Sequence, residues 1–338
     1  MLGNRVKTSK CIKITQCVTW KGSVWILAQP SGNGKRTAPR CYPYPFTTGI
    51  IAGLKKLSNE HHMRVFITGI RGQLGRTLDL FLNCHQVTGI DLPECDITDR
   101  LQIESAIVEA RPDIVIHCAA MTDVERCARD FQTAYRINGL GTQNVALACQ
   151  ASDAVMLYVS TNEVFDGSAQ QPYLEFDTPN PINPYARSKL AGEWYTRHLL
   201  TRFFIVRTAW LYAAGGRNFP HRIIQLADER GSLKVVTDEV GSPTYVVDLA
   251  QAIDRLITTD QYGVFHFVSA GACSRYEFAR EILRLSGRSK VPITATTLSA
   301  YQRDSTPPPY APLANIAGAT IGIHLRPWQD ALADFLGA

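Results

Sequence analysis

This 338-residue chain lacks the features that mark membrane, secreted and metal-binding proteins. No apolar run approaches the roughly 20 residues of a membrane span, and VWILA at 24–28 is shorter than the core of a signal peptide. The nine cysteines form no Cys-x-x-Cys pair, and their odd number gives no disulfide framework. No carboxylate or cysteine stands at metal-ligand spacing around the adjacent His61 and His62. We therefore expect a cytoplasmic protein with reduced cysteines, no membrane partner and no metal site.

Acidic residues are nearly missing from one end of the chain. Residues 1–62 hold ten Lys or Arg against a single acid, Glu60, whereas the other 276 residues hold 25 basic and 29 acidic side chains. The main body is thus mildly acidic and lacks the clustered cations that a nucleic-acid partner requires. The basic leader shows no helical period, so we expect residues 1–62 to be a disordered or spuriously translated extension, with translation starting at Met63.

From Met63 onward, short β-branched runs alternate with longer amphipathic segments. The predicted strands are Arg64–Thr68, Gln86–Ile90, Ile114–His117, Val155–Val159 and Phe203–Arg207. Between them lie helical stretches such as residues 98–110, with Thr98 or Asp99 as the N-cap and Pro112 beyond the end. This order is typical of an α/β fold with a doubly wound parallel sheet of the Rossmann type.

After Arg207 the pattern loosens into loop-forming stretches between shorter helices. We therefore divide the body into a dinucleotide-binding core at 63–209, which carries the catalytic Tyr and Lys, and a smaller substrate-binding cap at 210–338. A segment at about 235–270 is expected to return to the core. Ligands of open α/β sheets bind outside the carboxyl ends of the strands, where such a cap would cover the substrate.

The stretch RVFITGIRGQLG predicts a dinucleotide site. Gly69, Gly72 and Gly75 follow an apolar strand and precede a helix, where glycines allow the backbone to approach a pyrophosphate and the helix start favours its charge. A chain with 24 glycines can produce this spacing by chance, so its position between strand and helix carries the weight.

Two residues bear on which dinucleotide binds. Asp91 ends the second strand and can accept hydrogen bonds from the adenosine ribose, although it could equally be a loop carboxylate without a ligand. Arg71, inside the glycine loop, offers a guanidinium to a 2′-phosphate that Asp91 would repel. Because the two signals conflict, we expect the protein to use either NADPH or NADH.

The stretch NPYARSKLAGE places Tyr185 four residues before Lys189 on one helical face. A Tyr hydroxyl, with an ordinary pKa of about 10, donates its proton at neutral pH only when a neighbouring ammonium stabilises the phenolate. Thr161 follows the predicted strand Val155–Val159, where its hydroxyl would reach a carbonyl held against Tyr185. The Tyr–Lys spacing arises easily by chance, so the order of the motifs matters more than the pair.

The motifs together resemble a known family. The glycine loop, CAA at 118–120, Thr161 and the Tyr185–Lys189 pair resemble the extended short-chain dehydrogenase/reductases. Within these, GQLG, DITD, CAAMTDVE, STNEVFDG, NPYARSKLAGE, RTAWLY and VGSPTY resemble dTDP-4-dehydrorhamnose reductases, from Met63 nearly to the C-terminus. The resemblance implies NAD(P)H-dependent reduction of the 4-keto group of dTDP-4-dehydro-6-deoxy-L-mannose to dTDP-L-rhamnose, with Tyr185 as proton donor and Thr161, Tyr185 and Lys189 as catalytic residues.

The resemblance also implies which residues bind the cofactor and the sugar. The residues expected at the pyrophosphate are Gly72, Gln73 and Leu74; those near adenosine are Asp91, Asp96 and Ile97; those on the nicotinamide side are Ala119, Ala120 and Met121. Gly69, Arg71, Gly75, Val159, Tyr185 and Lys189 complete the predicted cofactor set. Thr161 and Asn162 would hold the keto sugar, and Trp210 would lie against its ring unless it is simply a core aromatic. A homodimer and Mg²⁺ are implied by the resemblance alone.

The chain departs from the family at three places. Asn162 stands where relatives have Asp, His117 and Cys118 replace the Asn before the double Ala, and Pro308 stands where a late Arg is expected. The last change removes a cation for the diphosphate. Arg217 and Arg222 are substitutes, although surface solvation suits them better.

Two other functions stay open. A sugar 4,6-dehydratase of a related family uses Thr-Asp-Glu, but Asn162 cannot donate a proton as a carboxylic acid does. This leaves Glu163 as a structural or solvent-facing residue. The second is a non-catalytic regulatory subunit that binds NADP, similar to the beta subunit of methionine adenosyltransferase, because fold alone does not establish catalysis.

Overall fold

A computed structural model describes residues 13–20, 23–29, 40–44, 62–215, 218–301 and 303–338. The chain divides into two compact units, Met1–His62 and Met63–Ala338. In the first unit, strands β1 (Lys13–Trp20), β2 (Ser23–Gln29) and β3 (Arg40–Tyr44) form an antiparallel sheet in that order. Regular structure is thus described in part of the segment expected to be disordered. The remainder of that segment lies outside the described residues. That residues 1–62 are spuriously translated stays a prediction.

The second unit is built on a six-stranded parallel sheet. Its strands are β4 (Arg64–Thr68), β5 (Gln86–Ile90), β6 (Ile114–His117), β7 (Val155–Thr161), β8 (Phe203–Thr208) and β13 (Gly263–His266). Their order is β13-β8-β7-β6-β4-β5, and every neighbouring pair is parallel. The chain reverses its direction of winding between β4 and β6, as in doubly wound folds. The predicted α/β Rossmann-type fold is confirmed.

Helices connect the strands and cover both faces of the sheet. In chain order they are α1 (Gln73–Phe81), α2 (Arg100–Ala110), α3 (Val124–Arg129), α4 (Phe131–Tyr135), α5 (Thr142–Ser152), α6 (Pro184–Leu199), α7 (Phe219–Arg230) and α8 (Val246–Ile257). A π-helical turn at Arg136–Gly141 precedes α5. Asp99 caps α2 through the amides of Leu101 and Gln102, which selects one of the two predicted N-caps. No helix among the described residues is long and apolar enough to cross a bilayer.

Short elements complete the C-terminal part. They are β9 (Leu211–Tyr212), β10 (Leu233–Val236), β11 (Val240–Gly241), β12 (Thr244–Tyr245), β14 (Cys273–Ser274), α9 (Arg275–Leu285), β15 (Ile293–Thr296), α10 (Ala317–Thr320) and α11 (Trp328–Leu336). They pair as three two-stranded sheets, β10 with β15, β11 with β14 and β12 with β9. Because β13 joins the main sheet and α8 packs against α1, part of this region lies with the core. The division into core and cap stays a prediction.

Apolar clusters fill the space on each side of the sheet. One cluster joins Leu74 and Leu78 of α1 with Leu249 and Ile253 of α8, all nearly inaccessible to solvent. The other packs residues of α2 and α5, such as Ile103, beneath β6 and β7. Burial of β4 and β6 from both faces explains why their sequences are runs of apolar residues without alternation.

A buried ion pair links the helix α6 to the sheet. The Arg207 guanidinium on β8 donates to both carboxylate oxygens of Glu193, with Nε–Oε1 2.9 Å and Nη2–Oε2 2.7 Å, and both side chains are at most 1% exposed. Ser160 on β7 donates to the same carboxylate at 2.6 Å. Removal of either charge leaves the other unpaired in a dry interior, which costs far more than the loss of an exposed pair.

We expect Arg207→Met to lower the free energy of unfolding by about 3–5 kcal/mol, because Glu193 then stays buried without the guanidinium that bonds both of its oxygens. Arg197 gives a matched control, since its partly exposed guanidinium lies 3.8 Å from the same carboxylate. Arg197→Gln should change stability by no more than about 1 kcal/mol. Urea unfolding of the three proteins measures the difference, and equal midpoints for all three would contradict the assignment.

Candidate active site

The glycine loop joins β4 to α1 at the carboxyl edge of the sheet. Gly69 adopts φ +72°, and a Cβ there would lie 2.8 Å from the Ala119 amide nitrogen. A Cβ on Gly75 would lie 2.3 Å from the Gly69 carbonyl oxygen, so the turn and helix pack too closely for any side chain. Gly72 is the N-cap of α1, and because it has no side chain, no capping bond is made to the amides of the first turn of the helix. The loop therefore has the shape and the donors of a phosphate cradle.

Asp91 and Arg71 lie together beside this loop. The Asp91 carboxylate accepts from the Arg71 backbone amide at 2.9 Å and from the Leu92 amide at 2.8 Å. The Arg71 guanidinium turns away to Glu94 at 2.6 Å and to the Leu92 carbonyl at 3.1 Å. Asp91 and Arg71, whose preferences for the cofactor conflict, are thus adjacent in space. The ion pair that holds the Arg71 guanidinium is exposed, so it can open at little cost in free energy.

The other predicted cofactor residues are distributed along the same edge. Asp96 accepts from the Thr98 amide at 2.8 Å, and Ile97 is buried against the π-helical turn. Ala119 and Ala120 follow β6 and are partly exposed, whereas Met121 is buried. The structure places them along one edge but does not test their contacts with a dinucleotide.

Helix α6 brings Tyr185 and Lys189 to the end of β7. Asn183 caps the helix through the Ala186 amide, and Pro184 occupies its first turn. A Cβ on Gly192 would lie 2.3 Å from the Tyr158 hydroxyl, so this glycine sets how closely α6 approaches β7. The buried positions of α6 recur every three or four residues, and Tyr185 and Lys189 belong to that buried stripe.

Lys189 is held in a nearly dry position. Its side chain is 4% exposed, its Nζ donates to the Val159 carbonyl at 2.8 Å, and Nζ lies 4.2 Å from the centre of the Tyr158 ring. Burial lowers the pKa of Lys189 to about 7. An ammonium so sparsely solvated interacts strongly with a negative charge that develops nearby.

Tyr185 lies between Thr161 and Glu163. Burial raises its pKa above the ordinary range, the negative charge of Glu163 raises it further, and a hydrogen bond with Thr161 lowers it. Thr161 is the last residue of β7, two residues beyond the predicted end of that strand, and is 6% exposed. The structure thus brings Thr161, Tyr185 and Lys189 together at the carboxyl end of one strand.

Asn162 and Glu163 differ from one another in their surroundings. Asn162 is buried and its amide donates to the Ala311 carbonyl at 3.0 Å. Glu163 is half-buried and accepts from the Asn183 amide at 2.7 Å. Burial raises the pKa of Glu163, whereas the bond from Asn183 lowers it. Of the two roles expected for Glu163, structural or solvent-facing, this bond to the N-cap of α6 fits the structural one.

Trp210 is the third predicted sugar contact. It adopts φ +45°, a strained conformation for a bulky residue, and residues in such conformations cluster at functional sites. The Arg275 guanidinium lies over its ring at 3.5 Å, and a Cβ on Gly241 would lie 2.6 Å from the ring. One face of the indole is therefore already covered, which limits the surface left for a sugar.

His117 replaces the family's Asn beneath the nicotinamide side. Its ring lies 2.6 Å from the Thr68 hydroxyl and 3.1 Å from the Thr142 hydroxyl, and it is 1% exposed. Burial lowers the pKa of His117 to about 3. The residue is thus a neutral bridge between β4, β6 and α5, and the departure from the family pattern has a structural role here.

One positioning residue has no obvious signal in the sequence. Asn138, in the π-helical turn, is fully buried; its side chain accepts from the Met121 amide at 2.8 Å and donates to the Met121 carbonyl at 3.0 Å and to Ser188 at 2.9 Å. It connects the predicted nicotinamide strand end with the helix that carries Tyr185. Predicting that the Asn of RINGLG is buried would require recognising the π-helical turn from the sequence, and short sequence patterns do not identify such turns.

Among the residues that the structure describes, no three or more His, Cys, Asp or Glu side chains are grouped to hold a metal ion. The Mg²⁺ that the resemblance implies has no support in this geometry.

Comparison with known proteins places this arrangement in a family. The family model described as "RmlD substrate binding domain" matches residues 63–338. The spore coat polysaccharide biosynthesis protein SpsK of Bacillus subtilis is 36% identical over 81% of this chain and 96% of its own length. A dTDP-4-dehydrorhamnose reductase of Streptomyces griseus is also 36% identical, over 80% of this chain and 92% of the relative. A dTDP-4-dehydrorhamnose reductase of Bacillus anthracis solved with NADP is 38% identical, with a TM-score of 0.78, over 80% of this chain and 97% of that one.

The neutral burial of His117 predicts a pH dependence of stability. The unfolded chain takes up a proton as the pH falls below about 6.5, whereas the folded chain resists until about pH 3. Stability is therefore complete above about pH 6.5 and is lost as the pH falls, by about 2 kcal/mol at pH 5 for one such group. His117→Gln keeps a hydrogen-bonding side chain without a titrating ring and should reduce the difference between pH 8 and pH 5.

Urea unfolding at the two pH values measures this difference, with the exposed His324→Gln as control. The loss does not vanish in His117→Gln, because His266 is also buried with its pKa lowered to about 3. An unchanged pH dependence in the His117 variant would show that this ring takes up a proton as readily in the folded protein as in the unfolded chain.

Proposed function

This chain belongs to the RmlD substrate-binding-domain family, and on that premise we propose that it reduces the 4-keto group of dTDP-4-dehydro-6-deoxy-L-mannose to dTDP-L-rhamnose. The observation that carries the proposal is the meeting of Thr161, Tyr185 and Lys189 at the carboxyl end of β7, where a carbonyl between the first two would accept a proton. The enzyme is an NAD(P)H-dependent oxidoreductase.

Each residue of this group has a distinct part in the reaction. The bound nicotinamide supplies a hydride to the carbonyl carbon. Thr161 donates a hydrogen bond that orients the carbonyl, and Tyr185 gives its hydroxyl proton to the oxygen as negative charge develops there. Lys189 stabilises the phenolate that Tyr185 becomes, since an opposite charge nearby favours the ionised form. Transfer of one hydride and one proton converts the ketone to an alcohol.

The residues present fit a dinucleotide. The turn at 69–75 has no room for a side chain at Gly69 or Gly75 and presents backbone amides and the start of α1, the combination that accommodates a pyrophosphate. A relative's structure holds NADP, and more distant structures of the same fold hold NAD. The adjacency of Arg71 and Asp91 supports use of NADPH and of NADH.

The geometry favours reduction over the alternatives. A dehydratase needs an acid where Asn162 lies, and the Asn162 amide is already engaged by the Ala311 carbonyl. A regulatory subunit has no need of a Thr161–Tyr185–Lys189 group in a nearly dry site, although it could retain one. Cys95, Cys118, Cys127, Cys149 and Cys273 are free thiols, which supports a reducing, cytoplasmic location. A homodimer is proposed from the family resemblance alone.

Tyr185→Phe removes the proposed proton donor while keeping the ring. We expect kcat to fall by about 10²-fold or more, as for other positioned acids. Tyr195→Phe is a matched control on the same helix, since its hydroxyl bonds only that of Tyr135 among the described residues. The keto sugar is generated in situ from dTDP-glucose, and loss of NADPH absorbance is followed. Equal rates for Tyr185→Phe and the unaltered protein would show that Tyr185 is not the acid.

A further inference from the structure

Two arginines converge on one buried carboxylate beside the active site. Arg275, the first residue of α9, donates from Nε to Glu239 at 2.8 Å, and Nη1 of Arg303 lies 3.6 Å from the other oxygen of the same carboxylate. Glu239 is only 4% exposed, whereas the arginine side chains are 20% and 38% exposed. We call Arg275 and Arg303 the arginine pair. Their cationic groups are accessible while the carboxylate that orients them is not.

The partner atoms in this cluster are incompletely satisfied. Among the described residues, Oε2 of Glu239 and the hydroxyl of Ser305 are buried without a hydrogen-bond partner. Ser305 is 2% exposed and lies two residues from Arg303. Buried polar groups are nearly always bonded in proteins, and a group left without a partner calls for an explanation. The unbonded Oε2 of Glu239 is the carboxylate atom nearest Arg303, and the Ser305 hydroxyl is a buried polar group on the segment that carries Arg303.

The Arg275 guanidinium is held in a fixed plane. It lies 3.5 Å from the centre of the Trp210 ring and 5.0 Å from that of Phe219, and Glu239 fixes its Nε edge. Because Arg275 stacks on Trp210 and donates to Glu239 through Nε, its Nη groups are left for another acceptor. A guanidinium restrained in this way is suited to two parallel hydrogen bonds with phosphate oxygens, at little further cost in side-chain entropy.

The arginine pair is within electrostatic reach of the reacting group. The charges of Arg275 and Arg303 act on Glu163, which in turn acts on Tyr185. The segment that carries Arg303 is also tied to the site, because the Asn183 amide donates to the Thr306 carbonyl as well as to Glu163. Trp210, predicted to contact the sugar, is the platform beneath Arg275. A substrate held at Tyr185 would extend towards the arginine pair.

The charge of the cluster identifies the class of ligand. Two guanidinium groups face the Glu239 carboxylate, and Glu163, the second acid within their electrostatic reach, accepts from the Asn183 amide, so the accessible guanidinium N–H groups are cationic donors in a partly dry place. Of the residues considered for this charge, Pro308 replaces the late Arg, the exposed Arg222 bonds Gln225, and Arg217 lies outside the described residues. We propose that Arg275 and Arg303 bind the diphosphate of the nucleotide sugar, with Glu239 as the positioning residue that orients Arg275.

This inference rests on the proposed function, and its test separates the two. Deoxythymidine diphosphate is titrated by calorimetry into the full chain saturated with NADPH, so that binding is measured without turnover. We expect Arg275→Gln and Arg303→Gln each to weaken its binding by about tenfold or more, the usual effect of losing a charge-assisted hydrogen bond. Arg275→Lys keeps the charge but not the planar fork, and should give an intermediate loss.

The control is Arg280→Gln, an exposed arginine further along α9, which should bind the diphosphate as the unaltered protein does. NADPH affinity should be unchanged in every variant, which shows that the fold persists. If Arg275→Gln disturbs the fold, Arg303→Gln decides the outcome, because its side chain packs on no ring in the described residues.

Several outcomes would overturn the inference. These are full affinity for the diphosphate in both Arg→Gln variants, an equal loss in Arg280→Gln, or no binding by the unaltered protein. If binding depends on Arg275 and Arg303 but no keto sugar is reduced, the diphosphate site stands and the proposed reaction fails. If the keto sugar is reduced with an unchanged KM in both variants, the reaction stands and the diphosphate site is elsewhere.

Discussion

The docking of α6 on β7 determines where the reactive side chains lie. Contact begins at the catalytic end, where Lys189 donates to the Val159 carbonyl, and continues at Gly192, which lets the Tyr158 hydroxyl approach the helix backbone. It ends at Glu193, which accepts from Ser160 of β7 and Arg207 of β8. Residues 189–193, just over one turn of the helix, are thereby fixed against two strands. Thr161 lies at the end of β7, and these contacts set the position of α6 along β7 at which Tyr185 meets Thr161.

The same docking creates the electrostatics of the site. Burial of Lys189 and Tyr185 disfavours the charged form of each, so the ammonium and the phenolate are most stable when both are present. A reaction that takes a proton from Tyr185 therefore strengthens its interaction with Lys189. Glu163 opposes ionisation of Tyr185, and the nearby Arg275 and Arg303 favour the charged form of Glu163, which sustains that opposition. An anionic substrate that occupied the two arginines would alter this balance at the point of reaction.

Local patterns in the sequence predict most of the main sheet, because its strands are apolar runs buried on both faces. The helix at 98–110 is also predictable, since Asp99 carries its own capping signal. Strand β13 is not, because GVFH is short and ends in a buried His that resembles a loop residue. For the site, Tyr185 and Lys189 follow from their spacing within one helix together with the order of the surrounding motifs. The half-buried Glu163 and the pairing of Arg275 with Glu239, 36 residues apart, depend on tertiary packing that no local pattern encodes.

The most direct measurement follows the hydride itself. The keto sugar is generated from dTDP-glucose and reduced with NADPH that carries deuterium on the transferring face of the nicotinamide, and the product is examined by mass spectrometry and proton NMR. Reduction at the site of Thr161, Tyr185 and Lys189 predicts one deuterium per sugar, at C4 of dTDP-L-rhamnose. A product with no deuterium, or with deuterium at another carbon, would contradict the assignment of this chain as a 4-ketoreductase.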